Sequence, residues 1–180
     1  MRQEGSRGDV SGDAMKQLPI DLDELVDHMQ QHLDEQACYL DTQTGKIELI
    51  DLDLVHRLAD EDEGEEDEVD MPDWEKELLP IARAIAAEAP RYVSLPEPDP
   101  HEDYRLMSRF AAGVGDPHAR QRLQDALDGR GAFSRFRRVV GDYPELRDQW
   151  HAAHDAATRA EAVEWLAELG IEVAEKPKGD

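Results

Sequence analysis

The stretch ACYLDTQTGKIELID, residues 37–51, is where the period of the sequence changes. Its two runs, Ala37–Leu40 and Lys46–Ile50, flank Thr42, Gln43, Thr44 and Gly45, and Ile47 and Leu49 alternate with charged neighbours. Period-two apolar alternation around a polar, glycine-containing turn predicts a β-hairpin. A two-stranded hairpin is marginal in water, so its apolar face must pack on helices or a further strand. RYVSLP, residues 91–96, is the best candidate for that third strand.

Outward from the hairpin the period is helical. In IDLDELVDHMQ, residues 20–30, Asp21 with Glu24 forms a capping box, and Leu22, Leu25, Val26 and Met29 recur at helical spacing, predicting a helix from about 22 to 32. Residues 1–14 are polar and aperiodic, as expected of a disordered leader, and Met15 is an alternative start. Nine of the eleven positions in DEDEGEEDEVD, residues 60–70, are acidic, which predicts a solvated loop. It is not a calcium loop: with Gly64 at the sixth position, Ala59 stands where the first carboxylate belongs and Asp70 where a bidentate Glu is needed.

Beyond Pro72 the chain reads as helices. Leu78, Ile81, Ile85 and Ala89 share a face of one starting near Trp74 or at Pro80. Asp99 and Asp116, each followed by proline, open the next two, the second ending near Asp128 and Gly129. Asp142 with Glu145, and Thr158 with Glu161, are capping boxes for two more, the last stopped by Gly170. The expected fold is α+β: an N-terminal helix and β-hairpin, with a possible third strand, packed on a mostly helical C-terminal half. Residues 15–173 are expected to form one domain, with 174–180 as a tail.

The formal net charge is −23, carried by 43 acidic and 20 basic residues with 39% apolar content. Residues 1–102 hold 8 Lys/Arg against 29 Asp/Glu and residues 103–180 hold 12 against 14, so the front half repels phosphates and anionic membranes and the back half is nearly neutral. The single cysteine, Cys38, can form no internal disulfide, and the polar N-terminus lacks the apolar core of a signal peptide. With no apolar run long enough to span a bilayer, a cytoplasmic protein without membrane partners is expected.

Against this background GRGAFSRFRRVV, residues 129–140, is anomalous in holding four arginines. At about 100° per residue, Ala132, Phe133, Phe136, Val139 and Val140 fall within one arc of about 120°, and Arg130, Arg135, Arg137 and Arg138 fall outside it. The phenylalanines are expected in the core. The arginine face admits three roles: a solvated side pairing with surplus carboxylates, a site for an anionic partner, or the reading helix of a helix-turn-helix spanning residues 117–140 with DGRG as its turn. The net charge disfavours a free nucleic-acid binder.

Other candidate chemistry is weaker. His28 and His32 stand four apart on the first helix but lack a third ligand, and His151, His154 and Asp155 make a short cluster that could hold a metal for a hydrolase. Cys38 has no basic neighbour in sequence and reads as a small buried apolar residue. No phosphate loop, nucleophile elbow or dinucleotide fingerprint is present. No catalytic residue, metal ligand or cofactor is assigned.

The combination IDLDELVDHM, YLDTQTGKIE, RYVSLP, GRGAFSRFRRVV and AVEWLAELGIE resembles a bacterial uncharacterised protein family of the UPF series, number one-five-eight. The likeness covers roughly residues 18–173 and is most specific at the glycine-arginine-phenylalanine segment. It implies a cytosolic bacterial protein and transfers no catalytic residue. The leading expectation is a non-enzymatic binding or regulatory protein whose Arg130, Arg135, Arg137 and Arg138 meet an anionic partner. The alternative is an acidic mimic of nucleic acid that occupies a basic partner.

Overall fold

The computed structural model describes residues 15–31, 33–59 and 72–174; the leader, His32, residues 60–71 with the acidic run, and the tail beyond Ala174 lie outside the described residues. In chain order the described elements are β1 (Lys16–Leu18), α1 (Leu22–Met29), β2 (Gln36–Asp41), β3 (Ile47–Asp51), α2 (Leu52–Ala59), α3 (Asp73–Ala86), β4 (Tyr92–Ser94), α4 (Pro100–Gly113), α5 (Pro117–Leu127), α6 (Ala132–Gly141), α7 (Pro144–Glu168) and β5 (Ile171–Val173). The fold is α+β, with the expected hairpin as β2 and β3 and the expected third strand as β4. These form a three-stranded antiparallel sheet in the order β3-β2-β4.

The turn of the hairpin is built around a buried carboxylate. Asp41 is 2% exposed. Its Oδ1 accepts from the Gln43 backbone N–H (2.9 Å) and Arg91 Nε (2.9 Å), and its Oδ2 from Thr44 Oγ1 (2.8 Å) and Arg91 Nη2 (2.6 Å). Thr42 adds two hydrogen bonds to the Arg91 carbonyl, one from its backbone N–H (2.8 Å) and one from Oγ1 (2.9 Å). The turn and the residue before β4 are thus tied by side chains and backbone together. The bidentate fork satisfies both carboxylate oxygens, without which so buried a charge would be strongly destabilising.

Among the described residues the buried apolar side chains form three clusters, two of them against this sheet. Leu25, Val26 and Met29 of α1, Leu40 of β2 and Ala162 and Leu166 of α7 form the first, with Leu18 and Ile171 from the β1–β5 pair. Ile50 of β3 packs with Leu54 and Val55 of α2 and Leu79 and Ala82 of α3 in the second. The third is wholly helical, gathering α4, α5, α6 and the start of α7 around the fully buried Phe136. Phe110, Phe136 and Trp150 meet edge to face there, with Phe136 and Trp150 centroids 4.9 Å apart.

Several elements differ from expectation. α7 is one helix, not two: it starts after Tyr143, whose side chain makes no cap bond. Asp142 is diverted to Arg122 Nη2 (2.6 Å), and Thr158 Oγ1 donates to the His154 carbonyl four residues back (3.2 Å). A capping residue in mid-helix can satisfy itself this way, and packing of both halves of α7 carries the helix through. α1 ends at Met29, three residues early, and α2 was not anticipated. Asp51 closes β3 and caps α2 at once, accepting from the Asp53 (2.8 Å) and Leu54 (3.4 Å) N–H groups, so no loop marks the change. Pro80 lies inside α3 rather than in its first turn. The parallel β1–β5 pair was also unforeseen: Gly170 ends α7 with a positive φ of 69°, and Ile171 then aligns with Lys16.

The guanidinium and the turn donors hold the Asp41 carboxyl well below the usual carboxylate range, outweighing the opposing effect of burial. Its stabilising contribution is therefore complete above the unfolded value near pH 4 and is lost as pH falls below it. Asp41→Asn is expected to cost about 2 kcal/mol at pH 7. In urea unfolding series the gap between wild type and variant should narrow steadily from pH 5 to pH 3; a gap independent of pH would contradict the assignment.

Candidate functional site

α5 and α6 are joined by Asp128, Gly129, Arg130 and Gly131. Asp116 caps α5, accepting from the Ala119 N–H at 2.7 Å, and Pro117 supplies the first-turn φ. Gly129 (φ 76°) and Gly131 (φ 75°) both occupy the left-handed region, so the chain reverses within four residues, a conformation that costs other L-residues roughly 1 kcal/mol each. Ala132, Phe136, Val139 and Val140 then bury against the helical cluster and Phe133 packs at its edge.

A tight reversal after a helix leaves backbone carbonyls without amide partners. Arg135 supplies them. Its guanidinium donates to the carbonyls of Ala126 (3.1 Å), Asp128, Gly129 (3.2 Å) and Arg130, and Tyr104 Oη reaches the Leu127 carbonyl from α4 at 3.2 Å. All of the described polar bonds of this side chain therefore go to the turn and to the end of α5 that leads into it.

The other three arginines are placed differently. Arg130, Arg137 and Arg138 are exposed, and among the described residues their side chains make no hydrogen bond or ion pair. By contrast Arg91, Arg105, Arg122, Arg147 and Arg159 each meet a carboxylate. The structure thus brings Arg130 and Arg135 together at the turn, with Arg135 contacting the backbone carbonyl of Arg130, and leaves Arg137 and Arg138 on the outer side of α6 with Ser134 and Gly141.

The histidine candidates separate. His151 is exposed, His154 Nε2 lies 3.6 Å from Asp103 of α4, and Asp155 accepts from Gln30 Nε2 of α1 at 2.9 Å. Among the described residues no three His, Cys, Asp or Glu side chains are grouped to hold a metal. His28 is half-buried, and His32 lies outside the described residues. The fold does give Cys38 a basic neighbour, contrary to expectation: its Sγ is 3.4 Å from His28 Nδ1. Burial nonetheless pushes the thiol up. This proximity joins β2 to α1 across the first cluster, which no local spacing reveals.

A groove of about 430 Å³ runs between α4 and α7, lined by Glu102, Asp103, His154, Thr158, Glu161 and Glu164 among others. Burial, together with the field of Asp103, Asp99, Glu102 and Glu164, raises the Glu161 carboxyl. The chain thus presents an acidic groove and a cationic helix within the same helical half.

Fold and site define a small α+β protein with a side-chain-locked three-stranded sheet and a helical half that displays a cationic helix. The profile of the Uncharacterised protein family (UPF0158) matches residues 15–178, and the chain belongs to that family. It is similar to the UPF0158 protein PA5073 of Pseudomonas aeruginosa strain PAO1, with 27% identity over 168 residues and coverage of 89% of each chain. No solved structure matches it.

Two outcomes follow from the geometry. Arg135→Ala should lower stability in denaturant by about 1–2 kcal/mol, whereas Arg137→Ala with Arg138→Ala should stay within about 0.5 kcal/mol of wild type. Equal effects would refute the division of roles. The Cys38 thiol should react with a disulfide reagent far more slowly in the folded protein than in denaturant; equal rates would show the site to be open.

Proposed function

We propose that this is a non-enzymatic, cytoplasmic binding or regulatory protein that meets an anionic partner through Arg130, Arg137 and Arg138, while Arg135 holds the turn that presents them. One observation carries this reading: three arginines close in sequence, at the turn and on the outer side of α6, have no carboxylate partner among the described residues of a strongly acidic chain. An unpaired guanidinium keeps its planar fork available for bidentate contact with carboxylate or phosphate. α6 itself, AFSRFRRVVG, contains no acidic residue to compete for it.

No helix among the described residues is long and apolar enough to cross a membrane, in keeping with this reading. The β1–β5 pair joins the two ends of the described chain, which supports residues 15–173 acting as one unit. The alternative, an acidic nucleic-acid mimic, rests chiefly on residues 60–70, outside the described residues.

The test is affinity capture from bacterial extract with wild type and Arg137→Glu/Arg138→Glu, both first shown to unfold at similar denaturant concentration. Recovery of a partner should fall at least several-fold in the variant and weaken with salt in the wild type. Equal recovery from both proteins would send the arginines back to the role of solvated surface.

A further inference from the structure

Resting on the anionic-partner reading, we infer that the partner of α6 is the phosphodiester backbone of a duplex nucleic acid, met by the α5–turn–α6 unit acting as a helix-turn-helix. Two helices of 11 and 10 residues joined by four residues, two of them left-handed glycines, match the size and turn chemistry of that motif. Arg135 fastens the turn through four carbonyls, so the second helix is held rigidly relative to the first.

The exposed side of α6 decides between a protein and a nucleic acid. A protein interface typically pairs any arginine hot spots with an apolar or aromatic core. α6 offers none: Phe136 is fully buried and Phe133 packs on the helical cluster. Among the described residues the exposed large apolar side chains, Met15, Leu49, Tyr104 and Val163, all lie outside α6. What faces outward is Ser134, Arg137, Arg138 and Gly141, with Arg130 at the turn. A Cβ at Gly141 would meet nothing within 4 Å, so the face is open as well as cationic. Small residues between arginines allow a backbone to approach closely while guanidinium groups reach its phosphates.

The net charge of −23 bears on strength rather than location. Residues 116–142 carry six arginines and four aspartates, a local balance of +2 within an otherwise acidic chain, with Arg122 already paired to Asp142. Repulsion from distant carboxylates is screened beyond about 8 Å at physiological ionic strength, whereas contacts at α6 are made at shorter range. Binding is therefore weak and local, with a dissociation constant on the order of 10⁻⁵ M at low salt.

Three phosphate contacts predict a slope near −3 in the logarithm of affinity against the logarithm of salt, at about 0.9 per phosphate. The test is a fluorescence anisotropy titration of a labelled 20-base-pair DNA duplex with the full chain across a salt series. Arg137→Ala/Arg138→Ala should bind at least ten-fold more weakly and reduce the slope by about 2, and Arg105→Ala, on α4, should match wild type. A polyglutamate peptide of equal charge is titrated in parallel. No binding of the duplex, or binding that Arg137→Ala/Arg138→Ala leaves unchanged, overturns the inference. If polyglutamate alone binds and depends on the arginines, the duplex assignment falls and the anionic-partner reading stands. If neither probe binds and capture from extract is also insensitive to charge reversal, both fall.

Discussion

The fork between Arg91 and Asp41 is the contact on which the rest of the architecture depends. A carboxylate this buried would carry a heavy desolvation penalty if it stood alone. Here both oxygens are filled by the hairpin turn and by a residue fifty positions away. β4 is only three residues long and pairs with β2 at Tyr39–Ser94, Leu40–Val93 and Asp41–Tyr92. This lock holds the start of the strand and the buried Leu95, whose N–H bonds to the Cys38 carbonyl at 2.9 Å, holds its end, so the chain leaving α3 is delivered to the sheet before entering α4.

The helical half depends on a second device, the length of α7. Its first turns place Leu146 and Trp150 in the aromatic cluster with Phe110 and Phe136, while Ala162 and Leu166, toward its end, fill the cluster beneath the sheet. Gln30 and Asp23 of α1 bond to Asp155, Thr158 and Arg159 along the middle. One continuous helix therefore couples the sheet to the unit that displays the arginines. Within that unit the division of labour is electrostatic: one guanidinium is consumed by backbone carbonyls at and just before the turn, and those of Arg130, Arg137 and Arg138 make no hydrogen bond among the described residues.

Much of this was legible in the chain. The change of period at residue 37, the glycine in the hairpin turn and the Asp-Pro starts at 99 and 116 located β2, β3, α4 and α5, because those signals are local and act within one turn or one pair of strands. Arg137 and Arg138 could be placed on the outer side of α6 from helical spacing alone. Arg135 could not be told from them, since its distinction is three-dimensional: only when the turn closes do four carbonyls converge within its reach. The misplaced cap at Asp142 and the false helix break at Thr158 have the same origin. Each residue carried a genuine capping signature that a tertiary partner, Arg122, or a backbone carbonyl within the helix took over.

By itself the sequence determined the α+β class, the apolar stripes, the helix starts and the presence of a carboxylate-free cationic helix in an acidic protein. Tertiary structure alone decided that Asp41 is buried against Arg91, that Lys16–Leu18 pairs with Ile171–Val173, that Cys38 sits beside His28, and that Arg135 braces a turn while Arg130, Arg137 and Arg138 meet no carboxylate among the described residues. Periodicity and capping act over a few residues and are written in neighbouring letters. Salt bridges across fifty residues, strand pairing between distant segments and the competition of guanidinium groups for acceptors depend on which surfaces the packed core brings together.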